Sequence, residues 1–335
     1  GHADWNDCLN LNCFSTEPNE SFQTAGDVQG STAESVMIAG LFLYAARDFA
    51  ELYTAMGKTA DAARISAQRD EMMSVIEKQA WDGAWYRRAY DAAGKPVGSA
   101  ENKEGKIFIE SQAWCVLGGA GTDNGRARQA IESVHRELFT PDGIILQQPP
   151  YSTYHLELGE VSSYPPGYKE NAGIFCHNNT WIHLAWCLLG DGDRALEYYL
   201  SICPSAKEAK IETYRCEPYV YAQMIAGRDA ATPGEAKNAW LTGTAAWTLV
   251  AATQGILGVR PTHTGLEIDP CIPRDWPEFH VRRKFRGATY DITVRNPHGK
   301  SKGIRSLEVD GQRIEGNIVP VAPAGTTVTV KAEID

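Results

Sequence analysis

The sequence predicts a helical region over residues 1–257 followed by an antiparallel β domain, by its pattern a sandwich, over residues 258–335. Three observations carry this. Apolar residues recur at three- and four-residue spacing before Gly258, they alternate with polar ones after it, and the bulk composition is that of a folded protein, 43% hydrophobic and 22% charged.

The first helix is expected over Thr32–Met56, where Val36, Ala39, Leu43, Ala46, Ala50 and Tyr53 share a face and Gly57 stops the run. A second follows over Thr59–Trp81, with Thr59 as N-cap and Ile65, Met72, Val75, Ile76 and Ala80 turned inward. Further helices are expected at Ile109–Leu117, Gly125–Phe139, Ile174–Leu189, Arg194–Cys203, Pro218–Ala226 and Ala239–Leu257. Short loops between neighbours imply antiparallel packing. Trp81–Lys106 reads as an inserted hairpin, and Gly143–Gly173 as a long functional loop rich in Pro, Gly, Tyr and Ser. After Gly258, runs such as ATYDITVRN and TTVTVKAEI alternate and are separated by Asn-Pro, Asp-Gly and Ala-Gly turns.

With 32 Lys+Arg against 42 Asp+Glu, the net charge of −10 leaves no electrostatic footprint for nucleic acid or an anionic membrane. No apolar run is long enough to span a bilayer, and the first residues, GHADWNDCLN, lack the features of a signal peptide. Eight cysteines without a CxxC pair point to reduced, cytoplasmic usage, and histidines without HxH or HExxH spacing give no metal site. Nine tryptophans are a mild sign of a sugar site, although they also serve as core filling.

Five segments carry possible chemistry. Asp4-Trp5-Asn6-Asp7 places two carboxylates beside an indole, which suits an acid kept protonated near an apolar wall; it reads equally as an Asx-turn. The stretch from Glu160 through Tyr164 and Lys169 to Asn171 joins carboxylate, hydroxyl and ammonium groups around a stiff Pro-Pro turn, as hydroxyl-rich ligands require; the competing reading is a solvated loop. His177 lies in an apolar run, where a satisfied core histidine is the ordinary outcome. Thr242-Gly243-Thr244 opens a helix, offering hydroxyls and free N–H groups to an anion or simply capping it. Glu217 is either a buried carboxylate or a capping partner.

These segments, with EPYVYAQMIAG, GEAKNAWLTGTAAW and LEIDPCIPRDW, resemble the cellobiose phosphorylases of glycoside hydrolase family 94, in order and over essentially the whole chain. The resemblance implies the second part of an (α/α)6 barrel followed by a C-terminal β-sandwich. It implies inverting, reversible phosphorolysis of a β-linked glucose disaccharide, cellobiose foremost, to α-glucose 1-phosphate and a free sugar. By the same mapping Asp7 is the general acid. Trp5 lines the donor subsite, Glu160, Tyr164 and Lys169 contact the acceptor, and Glu217 is a weaker substrate-binding candidate. His177, Thr242 and Gly243 bind phosphate, which is a co-substrate, so no cofactor and no metal is expected. Inorganic phosphate is already anionic and needs no base carboxylate to activate it.

Members of that family are considerably longer than this chain. The expected partners are therefore a β-linked disaccharide, inorganic phosphate and the N-terminal half of the same enzyme, as a separate or missing chain, within a homodimer. Two other readings stay open: an inverting hydrolase on the same barrel with Glu160 or Glu217 as base, and a non-catalytic carbohydrate-binding fragment or subunit.

Overall fold

The computed structural model describes residues 4–13, 15–17, 20 and 32–335. They form two compact units, one of residues up to 182 with 201–244, the other of 183–200 with 245–335. The change from helix to strand at Gly258 thus falls inside the second unit rather than at its border.

In the first unit, α1 (Val36–Ala55), α2 (Thr59–Val75), α3 (Ile109–Leu117) and α4 (Arg126–Leu138) follow the predicted periodicity. The α1 helix starts on Ser35, whose hydroxyl accepts from the Ile38 N–H, and stops before Gly57 at φ +72°. Thr59 is not a cap. It is the first helical residue of α2, and Lys58 stands at the cap position without a side-chain bond. The inward face expected over Thr59–Trp81 is shallow at first, for no residue of α2 is fully buried and Val75 is exposed, but Ile76 and Ala80, on the wider turn Ile76–Ala80 that continues the helix, are buried as expected. Gly40 lets α1 approach α3, since a Cβ there would lie 2.6 Å from the Cys115 nitrogen. Every residue of α3 is buried, and both Ser111 and Gln112 donate to the Tyr86 carbonyl. Gln112 accepts from the Tyr86 N–H and donates to the Tyr86 carbonyl, pinning the inserted hairpin to the helix. That hairpin is real: Ala89–Tyr90 pairs antiparallel with Pro96–Val97.

The helix expected over Pro218–Ala226 is absent. Ala222–Ile225 is instead the central strand, β2, of a three-stranded sheet between β1 (Ile174–Phe175) and β3 (Ala236–Ala239), antiparallel to both. Its apolar residues gain two hydrogen-bonded neighbours distant in sequence, an advantage that local periodicity does not register. For the same reason the helix expected over Ala239–Leu257 loses its first residues to β3 and the turn after it. α5 (Cys176–Leu188) grows directly out of β1 and passes from the first unit into the second after residue 182, and the first unit holds the single-turn α7 (Ile211–Tyr214).

The second unit contains most of α6 (Gly192–Ile202), most of α8 (Thr244–Val250), and eight strands. These are β4 (Val259–Pro261), β5 (Gly265–Ile268), β6 (Glu278–Phe285), β7 (Ala288–Arg295), β8 (Ile304–Val309), β9 (Gln312–Ile314), β10 (Ile318–Pro320) and β11 (Thr327–Ile334). They make a five-stranded sheet, β6-β7-β11-β8-β9, and a three-stranded one, β4-β5-β10. One expectation is corrected: the domain is not wholly antiparallel, because β7 and β11 run parallel. Strand alternation foretells which face is buried but not the direction of a distant partner. Along β7, Ala288, Tyr290, Ile292 and Val294 are buried and the residues between them are not. All eight cysteines are unpaired, and no helix among the described residues is long and apolar enough to cross a membrane.

Candidate active site

The turn bearing Asp7 is anchored by a buried ion pair. Arg88, on the inserted hairpin, donates to both carboxylate oxygens of Asp4 at 2.6 and 2.7 Å, and both side chains are fully buried. Burial alone would raise Asp4, but Arg88's charge and hydrogen bonds, with those from the Ser35 hydroxyl and the Asn6 N–H, hold its carboxyl below the ordinary range. The Asn6 N–H donates to Asp4 at 3.0 Å and the Cys8 N–H to the Asn6 side chain at 3.2 Å, so successive Asx-type contacts shape the turn. The turn reading of this motif therefore holds for Asp4 and Asn6. Asp7 projects to solvent beyond them, its carboxylate accepting a long contact from the Cys8 thiol.

Beyond the turn the chain lies along the long loop. The Asn10 N–H donates to the Leu158 carbonyl and the Val161 N–H to the Cys8 carbonyl, at 3.0 and 2.9 Å. Gly159 makes this approach possible: it adopts φ 77°, ψ −153°, and a Cβ on it would stand 2.9 Å from the Cys8 oxygen. Glu160 is thereby held beside the acid segment and accepts from the Tyr154 hydroxyl at 2.9 Å. Asn171 closes the loop, donating to the carbonyls of Tyr151 and Tyr164 and accepting from the Tyr151 N–H.

The three-stranded sheet gathers the remaining candidates. β1 and β3 each run antiparallel to β2, so their C-terminal ends and the N-terminal end of β2 share one edge. His177 follows β1 at that edge, Glu217 precedes β2, and Thr242-Gly243 follows β3. Phe175 and Lys237 both pair with Met224, which puts the two outer strands about 10 Å apart across β2. Trp5 brings the acid turn to the same edge. Its ring meets those of His177 at 5.1 Å, Phe175 at 5.3 Å and Trp181 at 6.1 Å, all edge-on. Glu217 accepts from the Trp240 indole N–H at 3.2 Å. The Thr242 hydroxyl pairs with that of Thr244 at 2.7 Å and accepts from the Thr244 N–H, so capping is part of its work.

Sequence reasoning passed over Glu170 as a site residue. It is buried, its Oε2 has no hydrogen-bond partner among the described residues, and an oxygen of it, an oxygen of Asp7 and the Cys8 sulfur lie within 4.8 Å of one another. The available signal was its place between Lys169 and Asn171 in a segment already singled out. Lys169 itself takes φ 49°, and its N–H meets the Met224 sulfur at 3.0 Å, tying this loop to β2.

Burial, ahead of the neighbouring carboxylates, pushes the Cys8 thiol up to about 12, and burial pushes Tyr164 up to about 12 as well. Asp7, Cys8 and Glu170 are the one group among the described residues close enough to chelate a cation. A thiol so reluctant to ionise is a poor ligand. Burial lowers His177 to about 4, so at neutral pH it is an uncharged imidazole, able to donate an N–H but carrying no cation. Taken together, the turn that bears the exposed Asp7 carboxyl carries the Trp5 indole to a sheet edge where neutral donors lie.

The fold is similar to that of a solved sialidase, which superposes on 84% of this chain and 24% of its own, with a TM-score of 0.54 at 12% identity. The chain belongs to the glycosyl hydrolase 94 superfamily, whose catalytic-domain profile matches residues 1–258. An N,N'-diacetylchitobiose phosphorylase of Vibrio proteolyticus is 39% identical over 322 residues, covering 96% of this chain and 38% of the relative. A solabiose phosphorylase of Paenibacillus borealis is 33% identical over 333 residues, covering 99% and 41%. The chain thus spans about two fifths of the length of these curated relatives.

Proposed function

We propose that this chain carries the acid and phosphate-binding portion of an inverting disaccharide phosphorylase. In this reading the helices of residues 1–257 are the second part of an (α/α)6 barrel, and the sheets of residues 258–335 are the layers of a β-sandwich. One observation supports it most: the contact of Trp5 with His177 sets the turn bearing Asp7 against the histidine proposed for phosphate.

Asp7 protonates the glycosidic oxygen as the bond from C1 to that oxygen breaks, and phosphate attacks C1 from the opposite face. The β-linkage becomes an α-glycosyl phosphate, and the acceptor sugar leaves carrying the proton. His177, Thr242 and Gly243 hold the phosphate with neutral donors, which a protein of net charge −10 must supply locally. Trp5 walls the donor sugar. Glu160, Tyr164 and Lys169 face the acceptor, with Glu217 in a supporting place. No metal or cofactor enters the reaction.

The substrate is a β-linked disaccharide; the sequence resemblance puts cellobiose first, and the relative named for N,N'-diacetylchitobiose makes that sugar the other to test. The N-terminal half of the enzyme and a second copy are the proposed protein partners, and eight unpaired thiols suit a cytoplasmic setting.

The test is release of free sugar and sugar phosphate from a β-disaccharide panel, with and without phosphate, by this chain alone and with any sequence that precedes it. Strictly phosphate-dependent release is expected, and Asp7→Asn should abolish it while leaving disaccharide affinity nearly intact. Release without phosphate would instead make Glu160 or Glu217 a hydrolytic base, and binding without turnover would make the chain a carbohydrate-binding subunit.

A further inference from the structure

We propose that the outer face of α1, with the groove it shares with α2, is the seat of an amphipathic helix from the N-terminal half of the enzyme. This rests on the reading of the chain as the second part of a barrel, and it adds the surface on which the first part docks.

The α1 helix is apolar on two opposite faces. On one, Val36 and Leu43 are buried in a cluster with Cys115 of α3, and Gly40 lies against the Cys115 backbone. On the other, Ile38, Phe42, Ala45, Phe49 and Leu52, with Met56 just past the last turn, stand four, three, four, three and four residues apart. At about 100° per residue this second row forms a straight stripe, about half a turn from the first. Ile38, Phe49, Leu52 and Met56 in it are 44, 52, 51 and 55% exposed. Of the twenty residues of α1 only Arg47, Asp48 and Glu51 are charged, and a helix apolar all round is one that a folded protein buries. Beside Ile38 and Phe42 the stripe widens into a groove of about 640 Å³, lined from the α2 side by Met72, Val75 and Ile76. An apolar surface of this extent marks a contact with another part of a protein.

Spacing and chain order identify the occupant. Alternate steps of three and four are the row that a second helix meets when it packs nearly along the first. From Ile38 to Met56 the stripe is about 27 Å long, the span of about five turns of partner helix. A strand, with its two-residue period, matches no such row. Both helices that pack on α1, α2 and α3, follow it in the chain. Elements consecutive in sequence lie side by side, so the flank left open is the one that an earlier helix fills. The relatives have sequence to supply it, for this chain covers only 38% of the chitobiose phosphorylase and 41% of the solabiose phosphorylase.

The test uses the assembled enzyme, this chain with the sequence that precedes it as one chain or two. With the photocrosslinker p-benzoylphenylalanine in place of Leu52, crosslinks mapped by mass spectrometry are expected in the sequence before residue 1 of the same enzyme molecule. Crosslinks to a second copy, or to no protein at all, overturn the proposal. Phe49→Glu should lower the Tm of the assembled enzyme by about 5 °C or more and leave that of this chain alone within about 1 °C. Equal shifts in the two show that nothing outside the chain covers Phe49, and also overturn it. Should Phe49→Glu fail to assemble, the crosslinks decide alone. An enzyme that crosslinks as expected but releases no sugar phosphate refutes the phosphorylase reading and leaves the docking surface established.

Discussion

Glu110 offers the most searching test of how the acid-bearing turn is held. It sits on α3, fully buried, and neither carboxylate oxygen has a hydrogen-bond partner among the described residues. The Arg88 Nε is 3.7 Å away, yet Arg88 gives its short bonds to Asp4. Burial pushes Glu110 up from 4.5 to about 7, against the pull of Arg88 and with the repulsion of Asp4. One guanidinium therefore faces two carboxyls, and the ionised one is Asp4. A folded pKa above the unfolded one means that folding takes up a proton in this window. The stabilisation from that proton is fully present below pH 4.5 and is lost as pH rises through about 7, amounting to about 3 kcal/mol. Glu110→Gln keeps the shape and removes the ionisation. Urea unfolding at pH 5 and pH 8 should show the wild type losing about 2–3 kcal/mol more than the variant between the two. Equal losses would mean that Glu110 is ionised in the native state and that Arg88 is shared evenly.

Three further outcomes follow from the same geometry. Asp4→Ala strands Arg88 in the core and should cost about 3–5 kcal/mol in denaturant unfolding; a loss under about 1 kcal/mol would show the pair to be dispensable. His177→Ala should raise the phosphate KM about tenfold, the worth of one hydrogen bond, and His177→Asn by less because its amide still donates; an unchanged phosphate KM would leave His177 a structural residue. Gly159→Ala forces a side chain into a left-handed backbone and against the Cys8 carbonyl. It should lose about 2 kcal/mol or more of stability and raise the disaccharide KM by displacing Glu160, and a variant with wild-type Tm and KM would contradict the close approach.

Local signals identified the elements whose burial follows from their own spacing. The α1, α3 and α4 helices lie close to where apolar periodicity put them, and β7 buries alternate residues as its pattern requires. The candidate site was legible as residue types in five separate segments. Their assembly was not, because it depends on β2, a strand that reads as helix until its two distant neighbours are known. Glu170 escaped notice for a similar reason: in sequence it is one more charge in a polar loop, and only the approach of Cys8 and Asp7 makes its carboxyl unusual.

By itself, then, the sequence determined the order of helical and strand regions, the absence of a basic footprint, and the segments able to donate a proton or hold an anion. These depend on side-chain period, net charge and short-range spacing, all properties of neighbours along the chain. The tertiary structure alone decided that Arg88 anchors Asp4, that His177 and Thr242 leave one sheet edge, that β7 and β11 run parallel, and that Glu170 faces Asp7. Each of these joins residues far apart in sequence through burial or pairing, and a buried charge or an unpaired carboxylate oxygen has no signature until the surroundings that exclude water are in place.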